Sequence, residues 1–329
     1  MTGGWLRRAG LALAEATHAI PFLPPFALGY FYRGALYARA GRHDKAIADY
    51  SRALALDGSL AGALNDRGVS YQAQGLHGLA LADFQKALTL MRRTTPGCYN
   101  MLALAHCNRA ITYKVLGEFE RAIDECETAL KLNPNLISAH VERAASTILS
   151  GRPAQAVDHI NRALALVPRS SEFLCARGLA HFSAGDFAKA AADYARSLKY
   201  GGEPYTPLYL YLARRRCGQE AATELQAHID TSRVTGWRAH IAAFFLKQRT
   251  RDALLGAASD KSQQDEAAFY IGQQLLLDGR ADEAIACFES VLATCPAMFT
   301  EHIGAVFELE RLKARSLDRA LAPRSANEA

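Results

Sequence analysis

The sequence predicts an all-α fold built from tandem pairs of helices. Small residues and aromatics recur every 34 residues: Arg33, Gly34 and Tyr37 return as Arg67, Gly68 and Tyr71. The chain is rich in alanine and leucine, and β-branched residues are sparse outside short runs, a composition that favours helix. An arginine-to-acid spacing of 16 residues repeats in step with the first pattern. A period of this length is the signature of stacked helical hairpins, none of which can bury its own apolar face alone.

Each position in the repeat has a physical reason. In the first copy Gly34 lets a neighbouring helix approach closely, and Tyr37, three residues on, is expected to fill the gap above it. Gly41 ends the first helix, because glycine readily takes the left-handed cap conformation. Ala46, Tyr50 and Ala53 then lie on one face of the second helix. The second copy carries Gly75, Ala80, Phe84 and Ala87, and the third carries Arg109, Ala110, Tyr113, Gly117, Ala122, Cys126, Ala129 and Pro134. The fourth has Arg143, Ala144, Gly151, Ala156, Ile160 and Ala163, and the fifth Arg177, Gly178, His181, Gly185, Ala190, Tyr194 and Ser197. A last copy runs through Gly272, Gly279, Ala284, Phe288, Val291 and Pro296. The proline stops the second helix.

The arginines add a second register. Arg33 stands 16 residues before Asp49, Arg67 before Asp83, Arg109 before Glu125 and Arg177 before Asp193, whereas Arg143 faces His159. The four matched sets are expected to be ion pairs between the two helices of a repeat. Such partly buried pairs set register more than they add stability.

This pattern resembles the tetratricopeptide repeat (TPR), over residues 27–313. The resemblance implies a right-handed superhelix of stacked antiparallel helix pairs. Residues 1–26 read as an N-terminal helix and a proline-rich linker, and 27–202 as five repeats with eight extra residues at about 95–102. Those eight are expected to lengthen the first helix of repeat three by about two turns. Residues 203–264 read as a degenerate helical region, its polar stretch Ser259–Gln264 as a linker, and 265–329 as a last repeat with a capping helix and frayed tail. The capping helix is expected over Phe299–Arg315. Within the irregular third, Pro207–Ala213, Trp237–Phe245, Phe269–Gly272, Phe299–His302 and Glu308–Leu309 resemble the NlpI group of bacterial TPR lipoproteins. That resemblance implies an envelope scaffold for proteases and peptidoglycan hydrolases, often a homodimer.

Two features of that group are not found. Glu15 and His18 interrupt the apolar run Ala9–Ala14 that follows Arg7 and Arg8, and no lipid-acceptor cysteine precedes Cys98. The compartment is therefore either cytoplasm or periplasm, and no stretch reaches the ~20 apolar residues that span a bilayer. The seven cysteines are odd in number without CxxC spacing, which points to free thiols.

No chemistry-bearing motif stands out. There is no phosphate-binding GxxxxGK[ST], no HExxH and no GxSxG. His106 and Cys107 are adjacent and so face different sides of a helix, which makes them a poor nucleophile–base pair. The expected catalytic residues, metal ligands and cofactors are none. A net charge of +5 is far from the basic footprint of a nucleic-acid binder. Arg214, Arg215 and Arg216 read as a solvated helix end that complements the dipole, and Arg311, Lys313, Arg315 and Arg319 as a solvated face.

The expected role is a non-enzymatic scaffold that binds other proteins or peptides. By register the groove is lined by Phe31, Asn65, Val69, Gln72, Ile111, Lys114, Val141, Ile148, Leu179 and Phe182. It reads as mostly apolar, either open to a partner or filled by the chain's own irregular ends. Trp237, Phe244 and Phe245 are the candidate second contact or dimer interface. The rival readings are a substrate-recognition subunit of an enzyme complex and an RNA-binding helical repeat. The groove residues carry no base-reading code.

Overall fold

A computed structural model describes residues 26–94, 99–231, 234–296 and 299–321. Among them are seventeen helices and no strand. The N-terminal helix and linker expected before residue 26 lie outside the described residues. The chain divides into two compact units, Met1–Ser146 and Thr147–Ala329.

The first unit contains three helical hairpins, α1 (Ala27–Arg39) with α2 (His43–Leu56), α3 (Ala61–Ala73) with α4 (His77–Thr94), and α5 (Tyr99–Val115) with α6 (Phe119–Leu132). The start of α7 (Ile137–Leu149) completes it. Each hairpin turns the same way. Gly41 sits at φ +70°, and the next residue, Arg42, donates its N–H to the carbonyl of Tyr37 at 2.9 Å. Leu76 to Tyr71 and Glu118 to Tyr113 repeat that bond, which satisfies a helix-end carbonyl otherwise left orphaned.

The gap at the first glycine is filled from the facing helix, not from Tyr37. A Cβ on Gly34 would stand 2.8 Å from the Tyr50 ring. A ring on the glycine's own helix cannot enter the space between the two helices. Tyr37 instead lies beside the cations of Arg42 and Lys45, 5.0 and 5.8 Å from its ring centre. Repeat three shows the rule by exchange. Ala110 replaces the glycine, and Cys126 replaces the ring that an added methyl would meet.

The eight extra residues are shared rather than given to one helix. α4 has 18 residues and α5 has 17, against 14 and 13 in the first hairpin. Each gains about one turn. The added turns shield each other, with Met91 and Leu102 in one buried cluster with Leu64 and Leu88.

The second unit begins within α7 and continues with α8 (Pro153–Leu166), α9 (Ser171–Ser183) and α10 (Phe187–Lys199). The region expected to be degenerate holds two further short hairpins, α11 (Thr206–Arg216) with α12 (Ala222–Asp230), and α13 (Trp237–Phe245) with α14 (Arg251–Leu255). The first turns at Gly218, with Gln219 N–H on the Arg214 carbonyl at 3.0 Å. The second makes the same bond, Gln248 to Ala243 at 2.9 Å, with Lys247 at φ +58° in the glycine's place.

The last repeat is α15 (Lys261–Leu277) and α16 (Ala281–Thr294), followed by α17 (Thr300–Leu321). The expected linker Ser259–Gln264 is therefore mostly helix. Asp260 is its cap, accepting the Gln263 N–H at 2.8 Å, while Gln263 Oε1 accepts from Ser259 N–H at 2.9 Å. α17 runs six residues past Arg315, and the tail after Leu321 lies outside the described residues. The buried apolar residues of α9–α17 form one continuous core around Tyr194, Leu208, Tyr211, Phe245, Tyr270 and Phe288.

Candidate functional site

In the first unit the first helices α1, α3 and α5 contact in succession, α1 with α3 and α3 with α5. Their shared face carries most of the groove candidates, and its polar members are already tied to one another. Asn108 Nδ2 donates to Asn65 Oδ1 at 3.1 Å, and Gln72 Nε2 donates to Thr112 Oγ1 at 3.0 Å. Lys114 Nζ is paired with Glu142 Oε2 at 2.5 Å, so no free cation stands there to hold a carboxylate. The face is thus less apolar than its register implies, with Phe31, Val69, Ile111 and Val141 standing between the polar links. Val69 is 38% exposed, and the other three are half-buried.

The candidates of the second unit are placed differently. Ile148 is buried. Leu179 and Phe182 on α9 face α17, and with Tyr209, Phe269, Gly304 and Phe307 they enclose a cavity of only about 20 Å³. That is about the room one water needs. Here the chain's own C-terminal helix occupies the face. Arg311 fixes it there, donating Nη1 to the Ser183 carbonyl at 2.7 Å and so capping α9.

The arginines read as solvated are partly buried in this contact. Arg216 and Arg311 both hold Glu308, which is 1% exposed: Arg216 Nη1 reaches Oε1 at 2.7 Å and Arg311 Nε reaches Oε2 at 3.2 Å. Gln273 Nε2 adds a bond at 3.2 Å, and the Arg216 guanidinium lies 4.3 Å from the Phe187 ring centre. Burial pushes the Glu308 carboxyl up, but the two guanidinia outweigh it and hold it below the ordinary carboxylate range. The sequence pattern gives no period that links residues 216, 308 and 311, so this cluster was not legible there.

Of the second-contact candidates, Phe245 belongs to the core, stacked on Tyr211 at 4.9 Å and edge-on to Tyr270 at 5.8 Å. It is 2% exposed and cannot meet a partner. Its place in the helix, next to Phe244, hid this. Trp237 is half-buried and donates Nε1–H to Glu266 Oε2 at 3.0 Å, while Phe244 lines a pocket of about 320 Å³ with Ile271, Leu275, Lys247 and Arg251.

The repeated arginines bind carboxylates 16 residues ahead. Arg33 grips Asp49 through Nε at 2.5 Å and Nη2 at 2.6 Å, Arg67 grips Asp83 at 2.7 and 2.9 Å, and Arg177 grips Asp193 at 2.7 and 2.6 Å. Arg109 reaches Glu125 at 2.5 Å. Each also reaches back to the preceding repeat, a partner the sequence reading missed. Arg67 donates to Ser51, Arg177 to Asn161 and Arg143 to Glu127, all 16 residues behind, and Arg109 reaches Gln85, 24 behind. The eight inserted residues account for the last spacing. Glu127, not His159, is thus the carboxylate partner of Arg143.

The adjacent His106 and Cys107 do not make a catalytic pair. His106 Nδ1 is bonded to Glu125 Oε2 at 2.7 Å, and the Cys107 thiol donates to Ser138 Oγ at 3.5 Å. Burial pushes that thiol's pKa up, which disfavours the nucleophilic thiolate. Among the described residues no group of three His, Cys, Asp or Glu is placed to hold a metal ion, and no helix is long and apolar enough to cross a membrane.

The sequence profile of the tetratricopeptide repeat matches residues 27–60, 103–136 and 150–204. With its left-handed turns and nested glycine–aromatic contacts, this chain is a TPR protein. Within that class it resembles the lipoprotein NlpI homolog of Haemophilus influenzae, with 29% identity over 221 residues, 64% of this chain and 70% of that one. The solved structure of Pseudomonas aeruginosa PilF shares the fold at a TM-score of 0.52 and 18% identity, over 73% of this chain and 95% of that one. Proteins of the TPR class bind other proteins or peptides, and the likeness points to a non-catalytic interaction scaffold.

Proposed function

We propose that the chain captures a segment of a partner protein on the first-helix face of its first unit, with Phe31, Val69, Ile111 and Val141 as apolar anchors. One contrast supports this reading. On α9 in the second unit, Leu179 and Phe182 are covered by α17, whereas Val69 keeps 38% of its surface in solvent. The ligand that suits the face is an amphipathic helix or an extended peptide. Its apolar side chains would fill the spaces between the polar links, and its polar edge would bond at the rim. The likeness to a lipoprotein directs the search to envelope partners such as proteases and peptidoglycan hydrolases, with the chain delivering them rather than acting on them.

A photo-crosslinker at Val69 in the full chain, followed by peptide mapping, identifies the captured segment. Val69→Asp with Ile111→Asp is expected to abolish capture of that segment while circular dichroism stays helical. Undiminished capture by the double variant, or crosslinks only to a second copy of this chain, would reject the reading.

A further inference from the structure

The start of α15, the end of α16 and the start of α17 wall a pocket of about 240 Å³ in the second unit. Three carboxylates face it. Asp265 is settled, accepting Thr294 Oγ1–H at 2.6 Å and pairing with Lys261 Nζ at 2.9 Å. Glu266 is fixed but not neutralised. Its Oε2 accepts from Tyr205 Oη at 2.8 Å and from Trp237 Nε1 at 3.0 Å, both uncharged donors. Glu301 is 6% exposed and takes a hydrogen bond only from its own backbone N–H among the described residues.

No cation of the described chain answers these two acids. His302, next to Glu301, is turned away with Nδ1 bonded to the Cys295 carbonyl at 2.8 Å. The Arg238 guanidinium lies 5.4 Å from the Tyr205 ring centre and forms no ion pair with either acid. Tyr209 and Tyr270, packed from α11 and α15, are phenols that burial keeps protonated. Glu266 and Glu301 therefore repel each other across a partly dry pocket, and burial with that repulsion pushes the Glu301 carboxyl up to about 7. Leaving a buried charge unpaired is costly, and residues that do so mark a site whose partner comes from outside. At the mouth, Phe299 is 45% exposed beside Pro296, an apolar shelf next to the two acids.

We propose that this pocket receives one basic side chain, a lysine or arginine, presented by a partner protein. The charged head sits between Glu301 and Glu266, and its methylene stem lies on Phe299 and Pro296. The orienting bonds of Tyr205 and Trp237 hold Glu266 ready, so little is lost in ordering the receptor on binding. Trp237, a candidate surface contact by sequence, acts here through the carboxylate it positions. This second site stands independently of the first-helix face.

The test uses the full chain and the stem-and-head mimics n-butylguanidinium and n-butylammonium, with n-butanol and calcium chloride as controls at matched ionic strength. The readout is the Trp237 indole N–H resonance, distinguished from that of Trp5 with Trp5→Phe. Both mimics are expected to shift it saturably, in about the millimolar range for so few heavy atoms. n-Butanol and calcium should leave it in place. Glu301→Gln, isosteric and uncharged, is expected to weaken the mimics at least ~10-fold while the helical spectrum is kept. No saturable shift in the wild type, an equal shift with n-butanol, a response to calcium alone, or unchanged affinity in Glu301→Gln each overturn the proposal. Should Glu301→Gln fail to fold, the mimic-against-butanol comparison in the wild type still decides.

Discussion

The two units use the same turn and the same nested rings, yet bury their apolar residues differently. In the first, described cores are local. Ala46, Tyr50 and Ala63 form one, Leu64, Met91 and Leu102 another, and Ala110 and Cys126 a third. In the second, one core runs through α9–α17 and a C-terminal helix lies over the face of α9. A regular array buries only what its neighbours cover, and keeps a face free for something else. An irregular array can fold back on itself, and its stability then rests on few long-range contacts. The buried Glu308, held from α11 and α17, is where that reliance concentrates.

The largest test of the comparison removes one member of that cluster. Arg216→Met leaves Glu308 buried with a single arginine and is expected to cost about 3–5 kcal/mol. Arg33→Met in the first unit also strands a buried acid, Asp49, but Arg52 remains 3.3 Å from it, so a loss of about 1–3 kcal/mol is expected. Urea unfolding followed by far-ultraviolet circular dichroism gives both numbers. Equal losses would mean that the long-range cluster matters no more than a repeat's own pair.

The next test is of pH. Glu301 has its carboxyl raised from 4.5 to about 7 in the fold. A raised acid contributes stability below its unfolded value and loses it as pH climbs to the folded one, because the folded state alone keeps the proton in that window. The second unit should therefore weaken between pH 4.5 and 7, by about 3 kcal/mol in total. Glu301→Gln should remove that slope. Stability curves at pH 4, 6 and 8 for both proteins check it, and parallel curves would place the ordinary carboxyl there instead.

Much of the architecture was legible in the sequence, because the period is carried by residues whose role is steric. Gly34, Gly68 and Gly178 must be small for a ring to lie against them, and Gly41, Gly75 and Gly185 take a positive φ. Those demands stand at fixed intervals, as do the paired arginines. What escaped was everything without a period. The hairpin α13–α14 was missed because Lys247 replaces the glycine that marks its turn. The occupied face of α9 was left open between two readings, since residues 182 and 311 meet with no local pattern to announce it. Phe245 was misplaced because a run of apolar residues does not say which side is inward.

A smaller effect sharpens the comparison at the level of one methyl group. Gly178→Ala would set its Cβ 2.6 Å from the Tyr194 ring, and Gly34→Ala 2.8 Å from Tyr50. Overpacking of this kind costs about 1–3 kcal/mol. Tyr194 is wedged in the continuous core with Tyr209 at 5.6 Å, while Tyr50 has the local core of one repeat. The Gly178 variant should therefore fall at the high end and the Gly34 variant at the low end. Adding Tyr50→Cys to Gly34→Ala copies the Ala110–Cys126 pair of repeat three. Its cost should be less than the sum of the two single changes, as a double-mutant cycle would register.

The smallest effect concerns the missing glycine itself. Lys247 holds φ +58° at the end of α13, a conformation in which a side chain is strained and glycine is not. It persists because the turn around it is fixed from both sides, by Gln248 N–H on Ala243 and by Lys247 N–H on Phe244 at 3.0 Å. Lys247→Gly should gain about 0.5–1 kcal/mol, the relief of the strain less the extra freedom of the unfolded chain. The equivalent change in a first-unit turn has no strain to relieve, since Gly41, Gly75 and Gly117 are already there. A raised urea midpoint for Lys247→Gly would show that α13–α14 is a repeat turn carrying the wrong residue. A lowered midpoint would show that the lysine side chain is held by contacts that outweigh its backbone, and that the irregular region has a reason for departing from the pattern.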